Sequence, residues 1–293
     1  MAPSAPAFVV NTSSHTIEGP EGEEELARMR GLCSVSLMGI YRDADPGVAA
    51  RRAIDDGADA IITLGGDGTA RSAAQAIYDA QSEARLVALP MGTANLLPRR
   101  LYSTRSTDEI LGALDRLEPT ALAGGVVGGE VFLIAAAAGF PTAFARARET
   151  ARDPDREDRL KSALKRASAG FSEMFSSRLR FAADGAENEK LDRASGLMLW
   201  VEEGADSFDF AAINIESLAG LAGLALGALS ERLRSDERML LREAHEVCMR
   251  SKRAIPLMVD GEPRSCGRKA RFRFQADLIP VLRWPGGGPG TGR

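Results

Sequence analysis

The chain has 293 residues, with 37 Lys and Arg against 41 Asp and Glu for a formal net charge of −4. That length allows one large domain or two ordinary ones, and the overall charge gives no reason to expect nucleic acid as a partner. The three cysteines (Cys33, Cys248, Cys266) lack C-x-x-C spacing and the two histidines (His15, His245) are far apart, which argues against a disulfide framework, a structural zinc site and Ser-His-Asp chemistry, and fits a reducing cytoplasm.

The first residues, MAPSAPAFVVN, have no basic region followed by a long apolar core and do not read as a signal peptide. Phe8 to Val10 predict a strand ending at Asn11. The acidic run Glu21 to Glu25 opens a helix reaching about Gly31, its carboxylates favouring the positive end of the helix dipole. Cys33 to Ile40 alternates like a strand, and Asp45 to Asp56 reads as a helix closed by Gly57.

Ala60 to Leu64 is an unbroken apolar and β-branched run, as expected of a strand buried on both faces of a parallel sheet. Gly65, Gly66, Asp67, Gly68 and Thr69 follow. The glycines allow positive φ and close approach of a ligand to the main chain. Thr69 is expected to cap a helix whose apolar side is Ala73, Ala74, Ala76 and Ile77, and whose free N–H groups would face phosphate. Asp67 in such a cradle would repel phosphate unless it works through Mg2+ or on an attacking hydroxyl; the plainer reading is turn chemistry. A Walker loop is excluded because no Gly-Lys-Ser/Thr follows, and a dinucleotide fingerprint because Arg71 stands where its third glycine belongs.

Arg85 to Pro90 predicts another strand, followed by a second small loop holding Gly92, Thr93 and Asn95 and then a further helix. A helix from about Thr107 to Leu117 closes an α/β part with a largely parallel sheet, residues 1–119. Beyond Pro119 the pattern turns to hairpins: Ala121 to Val127, a Gly128-Gly129 turn, then Val131 to Ala138. This marks a second, mostly antiparallel β domain over residues 120–284, whose last strand is free to return to the first domain. Ala143 to Arg166 is dense in mixed charge, read as solvated helices or, more sharply, as a face for anionic headgroups. Ala211 to Leu229 approaches transmembrane length, but Glu216 and the glycines within it favour a strand at Ala211 to Ile215 and an apolar loop or short helix. Ile255 to Val259 is a strand, Asp260-Gly261 a hairpin turn, Ala270 to Phe274 the return, and Ile279 to Leu282 a last strand; residues 285–293 have the composition of a disordered tail.

GADAIITLGGDGT (Gly57 to Thr69), LPMGTAN (Leu89 to Asn95), Arg99 and VDGE (Val259 to Glu262) together resemble the diacylglycerol kinase catalytic-domain family, which includes bacterial lipid kinases and sphingosine and ceramide kinases. The resemblance implies a two-domain fold, the second domain a β-sandwich, and a phosphotransferase with an alcohol acceptor. Its cofactors would be ATP and Mg2+. Phosphates would be held by Gly65, Gly66, Gly68, Thr69, Gly92 and Thr93, with Asn11, Arg71 and Asn95 beside them and Mg2+ near Asp67. Asp260 would take the hydroxyl proton, with Glu262 orienting it or joining a metal and water network; Asp67 is equally eligible as the base. The implied partners are a lipid such as diacylglycerol or a sphingoid base and transient contact with a membrane surface; the sequence leaves open whether two copies form a homodimer. The implied location is the cytoplasm, peripheral at the inner membrane surface.

Three departures from the family pattern stand out. Ser72 replaces the usual Glu, Leu96 follows Asn95 where Asp is common, and Thr12 to His15 replace the Pro and Gly of the first loop. An NAD kinase shares the Gly-Gly-Asp-Gly-Thr turn but would follow it with a Gly-rich Asn-x-Gly strand, where this chain has Pro90 to Asn95. A nucleotide or lipid sensor on the same fold, with catalysis weakened, is the reading from another class.

Overall fold

The computed structural model describes residues 2–13, 19–139, 179–185, 192–213 and 239–286. The chain divides into two units: Met1–Gly124 with Ala276–Arg293, and Gly125–Gln275.

The first unit runs β1 (Pro6–Asn11), α1 (Gly19–Leu32), β2 (Gly39–Asp43), α2 (Pro46–Asp55), β3 (Ala60–Leu64), α3 (Asp67–Asp79), β4 (Arg85–Ala88), α4 (Leu96–Tyr102) and α5 (Thr107–Leu111). Its strands lie in the order β2-β1-β3-β4, all parallel. Every residue of β3 is buried, as its apolar run requires of a central parallel strand. The chain steps from β1 outward to β2, crosses back to β3 and continues to β4. Right-handed crossovers then put α1 on the opposite face from α2 and α3. Alanines let the latter two pack closely: Ala49, Ala50 and Ala53 on α2, and Ala70, Ala73 and Ala74 on α3, are all buried.

The reversal of strand order falls between β1 and β3. In an open α/β sheet that point leaves a crevice at the carboxyl ends of the two strands. Asn11 and Gly65 stand there.

The strands that follow are β5 (Glu118–Val127), β6 (Glu130–Phe132), β7 (Ala135–Gly139), β8 (Leu179–Ala183), β9 (Asp192–Ala194), β10 (Gly196–Trp200), β11 (Phe208–Ile213), β12 (Met239–Ala244), β13 (Glu246–Arg250), β14 (Ile255–Val259), β15 (Glu262–Cys266) and β16 (Lys269–Arg283). One antiparallel sheet has the order β12-β11-β10-β7-β14-β15. Facing it are β13, paired with β8 and β16, then β9 beside β8, and the hairpin β5-β6. Aromatic rings from the two layers meet in the core, Phe132 on Phe208 at 5.4 Å and Phe181 on Phe210 at 6.0 Å between centroids. Gly125 makes room for them, since a Cβ there would collide with the Phe132 ring. The second unit is therefore a sandwich.

β16 is one long strand where two separate ones are expected. Lys269 to Arg273 pair with β13, and Val281 pairs in parallel with Leu86 of β4. The buried Tyr102 hydroxyl donates to the carbonyl of Leu282 (2.9 Å), and the Trp284 N–H donates to that of Leu101. The hairpin return after Asp260-Gly261 is β15, directly across the turn, and residues 270–274 belong to β16.

Other expectations shift as well. The alternating run Cys33 to Ile40 is mostly outside a strand: Ser34 donates its N–H to Leu111 and accepts one from Asp115, so this stretch braces the α5 region and β2 starts at Gly39. The expected strand Val131 to Ala138 is broken at Leu133 and Ile134, where the chain leaves β5's sheet for the other one. His15, the charged stretch 143–166, the apolar run beyond Ile213 and the tail from residue 287 lie outside the described residues. Among the described residues, no helix is long and apolar enough to cross a membrane.

Asp59, just before β3, accepts N–H bonds from Ser4 (2.7 Å) and Ala5 (3.0 Å) and pairs with Arg85 (3.1 Å). Partial burial acts to raise its pKa, but the Ser4 and Ala5 amides, the Ser4 hydroxyl and the Arg85 charge outweigh it and hold the carboxyl below its ordinary value. The folded pKa thus lies below the unfolded one. The resulting stability is fully present above the unfolded value, about 3.9, and is lost as pH falls through the folded value. Asp59→Ala should cost about 1–2 kcal/mol in urea unfolding at neutral pH, and the gap to the wild type should narrow below about pH 4.

Candidate functional site

The glycine turn at the end of β3 feeds directly into α3. Gly66 is the N-cap, extended at φ −88° and ψ −169°, and no side chain caps the helix. The first N–H groups of this helix, at its positive end, are thus left without a side-chain acceptor. Thr69 is not the cap: it is the third residue of α3 and is buried. The glycines are also needed for another reason than the expected positive φ, which neither Gly65 nor Gly66 adopts. A Cβ on Gly65 would collide with the Thr69 hydroxyl, and the Gly66 backbone packs on that of Gly92.

The second loop is built against the first. A Cβ on Gly92 would lie 2.6 Å from the Cα of Gly66. Asn95 is left-handed at φ 50°, and its Oδ1 accepts the Gly92 N–H (2.7 Å) instead of capping α4. Asp67 caps α4 from across the site: its two oxygens accept the N–H groups of Leu96 and Leu97, both at 3.0 Å. At the end of β1, the Asn11 Nδ2 donates to the Thr69 Oγ1 at 3.5 Å, and the Asn11 Oδ1 accepts the Ser13 N–H. Thus Asn11, Gly65, Gly66, Asp67, Thr69, Gly92 and Asn95 form one connected edge, with Gly68 in the first turn of α3 and Thr93 exposed on the second loop. Arg71 lies on α3 and is only 5% exposed, whereas Arg99 on α4 is exposed.

Asp260 and Glu262 lie in the second unit. Asp260 (φ 46°) and Gly261 (φ 86°) are both left-handed, the conformation of a tight hairpin turn. The Asp260 carboxylate accepts three main-chain N–H groups, from Leu133 (2.7 Å), Ile134 (2.9 Å) and Ala135 (2.9 Å). These are the amides freed where the chain passes from β6 to β7. Glu262 pairs with Arg264 (2.7 Å), which also holds Glu130 (2.8 Å). Burial works against the Arg264 charge, but the two carboxylates outweigh it and hold its pKa above the ordinary value.

The chemistry of the first unit fits a nucleotide. An uncapped helix start and a glycine-lined backbone suit phosphate oxygens. Among the described residues no group of three or more His, Cys, Asp or Glu gathers to hold a metal. Mg2+ bound with phosphates needs only one or two carboxylates, and Asp67 can supply one from a lone pair not taken by α4. The amides of Leu96, Leu97 and Leu133 to Ala135 were invisible to sequence reasoning, because every residue carries an N–H and only the fold decides which are left over.

Two outcomes follow. Gly92→Ala should lower stability by about 1–3 kcal/mol in urea unfolding, because backbone of the neighbouring loop fills the Cβ position. Asp260→Ala should cost a similar amount, about 2–3 kcal/mol, by leaving the Leu133 to Ala135 amides without their acceptor. An Asp260→Ala variant as stable as the wild type would show that the three bonds contribute nothing to the fold.

Comparison with known proteins agrees with this geometry. The sequence model of the diacylglycerol kinase catalytic domain matches residues 7–125. A protein of Pseudomonas savastanoi pv. phaseolicola described as "Probable lipid kinase YegS-like" is 40% identical over 80 residues, and one of Pseudomonas fluorescens with the same description is 41% identical over 80. These matches span 27% of this chain and 26% of each relative. A solved diacylglycerol kinase structure from Bacillus anthracis str. Sterne superposes with a TM-score of 0.65 at 14% identity, covering 97% of this chain and 98% of that one. A second structure from the same strain gives 0.68 at 14% identity, covering 97% and 99%. The likeness to the diacylglycerol kinase catalytic domain is thus carried in sequence by residues 7–125, less than half of the chain, and in fold by nearly its whole length.

Proposed function

We propose that the chain is an ATP-dependent lipid kinase that transfers the γ-phosphoryl group to the hydroxyl of a lipid such as diacylglycerol or a sphingoid base, at the cytoplasmic side of a membrane. The observation that carries this is the uncapped start of α3 at the point where strand order reverses, locked to a second glycine loop by the contact of Gly66 with Gly92. Phosphate oxygens would take N–H groups of the Gly66 to Thr69 turn, and the Gly92 and Thr93 backbone would flank them. Mg2+, when bound, would neutralise charge on the phosphates. Asp67 would hold it while keeping α4 in place. Asp260 would accept the hydroxyl proton, its carboxylate fixed by three amides, with Glu262 and Arg264 setting the charge around it. Phosphoryl transfer asks little of a base beyond this, since alignment and charge neutralisation supply most of the rate.

The departures at Ser72 and Leu96 bear on how active the site is. Leu96 is 49% exposed, and its N–H rather than its side chain serves the site, by binding Asp67. The fold here therefore needs no side-chain carboxylate at that position.

The test is transfer of labelled γ-phosphate from Mg-ATP to diacylglycerol, monoacylglycerol, sphingoid bases, ceramide and NAD. A labelled lipid is the expected product, with the rate falling about a hundredfold or more in Asp260→Asn and Asp67→Asn variants that stay folded. Labelled NAD would make the chain an NAD kinase. ATP binding with no product would make it a nucleotide-binding regulator.

A further inference from the structure

We propose that the outer face of the sheet made by β16, β13, β8 and β9 is a docking surface for anionic phospholipid bilayers. The pairing of these strands sets four cations side by side: Lys269 opposite Arg250, Arg250 opposite Arg180, and Arg180 opposite Arg193. Residues paired in register share a face. The alternate residues Phe272, Val247, Met249, Phe181 and Leu179 are buried in the core, so the row faces outward, and all four cations are exposed. At strand spacing the row is about 14 Å long.

Two features separate this row from an ordinary solvated face. Mixed charge is the rule on exposed sheets, and like charges directly opposite one another are destabilising. Yet none of these four side chains has an ion-pair partner among the described residues, while the neighbouring Arg271 and Arg273 share Glu246 at 3.7 and 3.4 Å. The chain as a whole carries −4, so the row is a local excess against the overall sign. A repulsive, uncompensated row is stabilised by a surface that is itself negative.

The shape favours a bilayer. The row lies across the flat of a sheet and carries no exposed aromatic side chain between its cations, as stacking on single-stranded nucleic acid would require. The choice of a lipid surface over an acidic protein rests on the lipid-kinase reading above.

The experiment is cosedimentation of the full chain with vesicles of phosphatidylcholine alone and of phosphatidylcholine mixed with phosphatidylglycerol, at low and high salt. Binding to the anionic vesicles only, weakening with salt, is expected. Each of Arg180→Gln, Arg193→Gln and Arg250→Gln should lower partitioning about fivefold, and the triple variant about a hundredfold. Thermal midpoints of the variants should be unchanged or raised, because the substitutions relieve repulsion; this separates lost docking from lost fold. Binding of the triple variant equal to wild type, equal binding to both vesicles, or binding to polyglutamate but to neither vesicle would overturn the proposal. Phosphorylation of lipid in nonionic detergent micelles keeps the two readings distinct. A triple variant that loses vesicle binding but keeps wild-type micellar activity supports the surface. Anionic-vesicle binding without any kinase activity would overturn the lipid-kinase reading and leave the surface standing.

Discussion

At Gly66 and Gly92 two loops meet main chain to main chain, closer than any Cβ would permit. Much of the first unit is arranged around that contact. β3 and β4 must lie side by side for their carboxyl ends to bring the loops together, and their parallel register, Ala60 beside Arg85 and Thr63 beside Ala88, does this. α3 must start immediately after Gly66, and it does so without a side-chain cap. The uncapped amides of this edge are therefore a by-product of packing backbone on backbone: side chains are kept away and N–H groups at the start of α3 are left without a side-chain acceptor.

A second constraint recurs in both units. Aspartates hold main-chain amides on segments far away in sequence: Asp59 on Ser4 and Ala5, Asp67 on Leu96 and Leu97, Asp260 on Leu133 to Ala135, and Asp184 on His245 and Glu246. Each receives N–H groups where a strand or helix begins and the regular ladder has no partner to offer. A short carboxylate can accept two or three such bonds at once, and charged acceptors make the stronger ones. Two of these residues, Asp67 and Asp260, are also those for which we propose a catalytic role. A carboxylate fixed by amides is rigidly placed, which suits a phosphoryl-transfer site in which positioning dominates.

The alternating strand and helix pattern, the buried run Ala60 to Leu64, the helix from Pro46 closed by Gly57 and the turn at Asp260-Gly261 were all legible because each is set by local physics: burial period, caps and left-handed glycines. Asn95 shows where that logic stopped. It stands at the start of a helix as a capping residue would, but its side chain turns to Gly92 and the cap comes from Asp67, 29 and 30 residues back from the amides it binds. Likewise Val131 to Ala138 has the composition of one strand, and it breaks because Asp260 draws three of its amides out of the ladder.

By itself, the sequence determined the class of the fold, the two glycine loops and the candidate carboxylates Asp67 and Asp260, because glycine patterns, apolar periodicity and turn residues act over a few neighbours. Only the tertiary structure decided which amides those carboxylates hold, that the glycines serve close approach rather than positive φ, and that Lys269, Arg250, Arg180 and Arg193 form one row. These depend on strand register and on contacts between distant segments. A shift of one residue in any pairing would turn those side chains to the other face, and no local pattern encodes it.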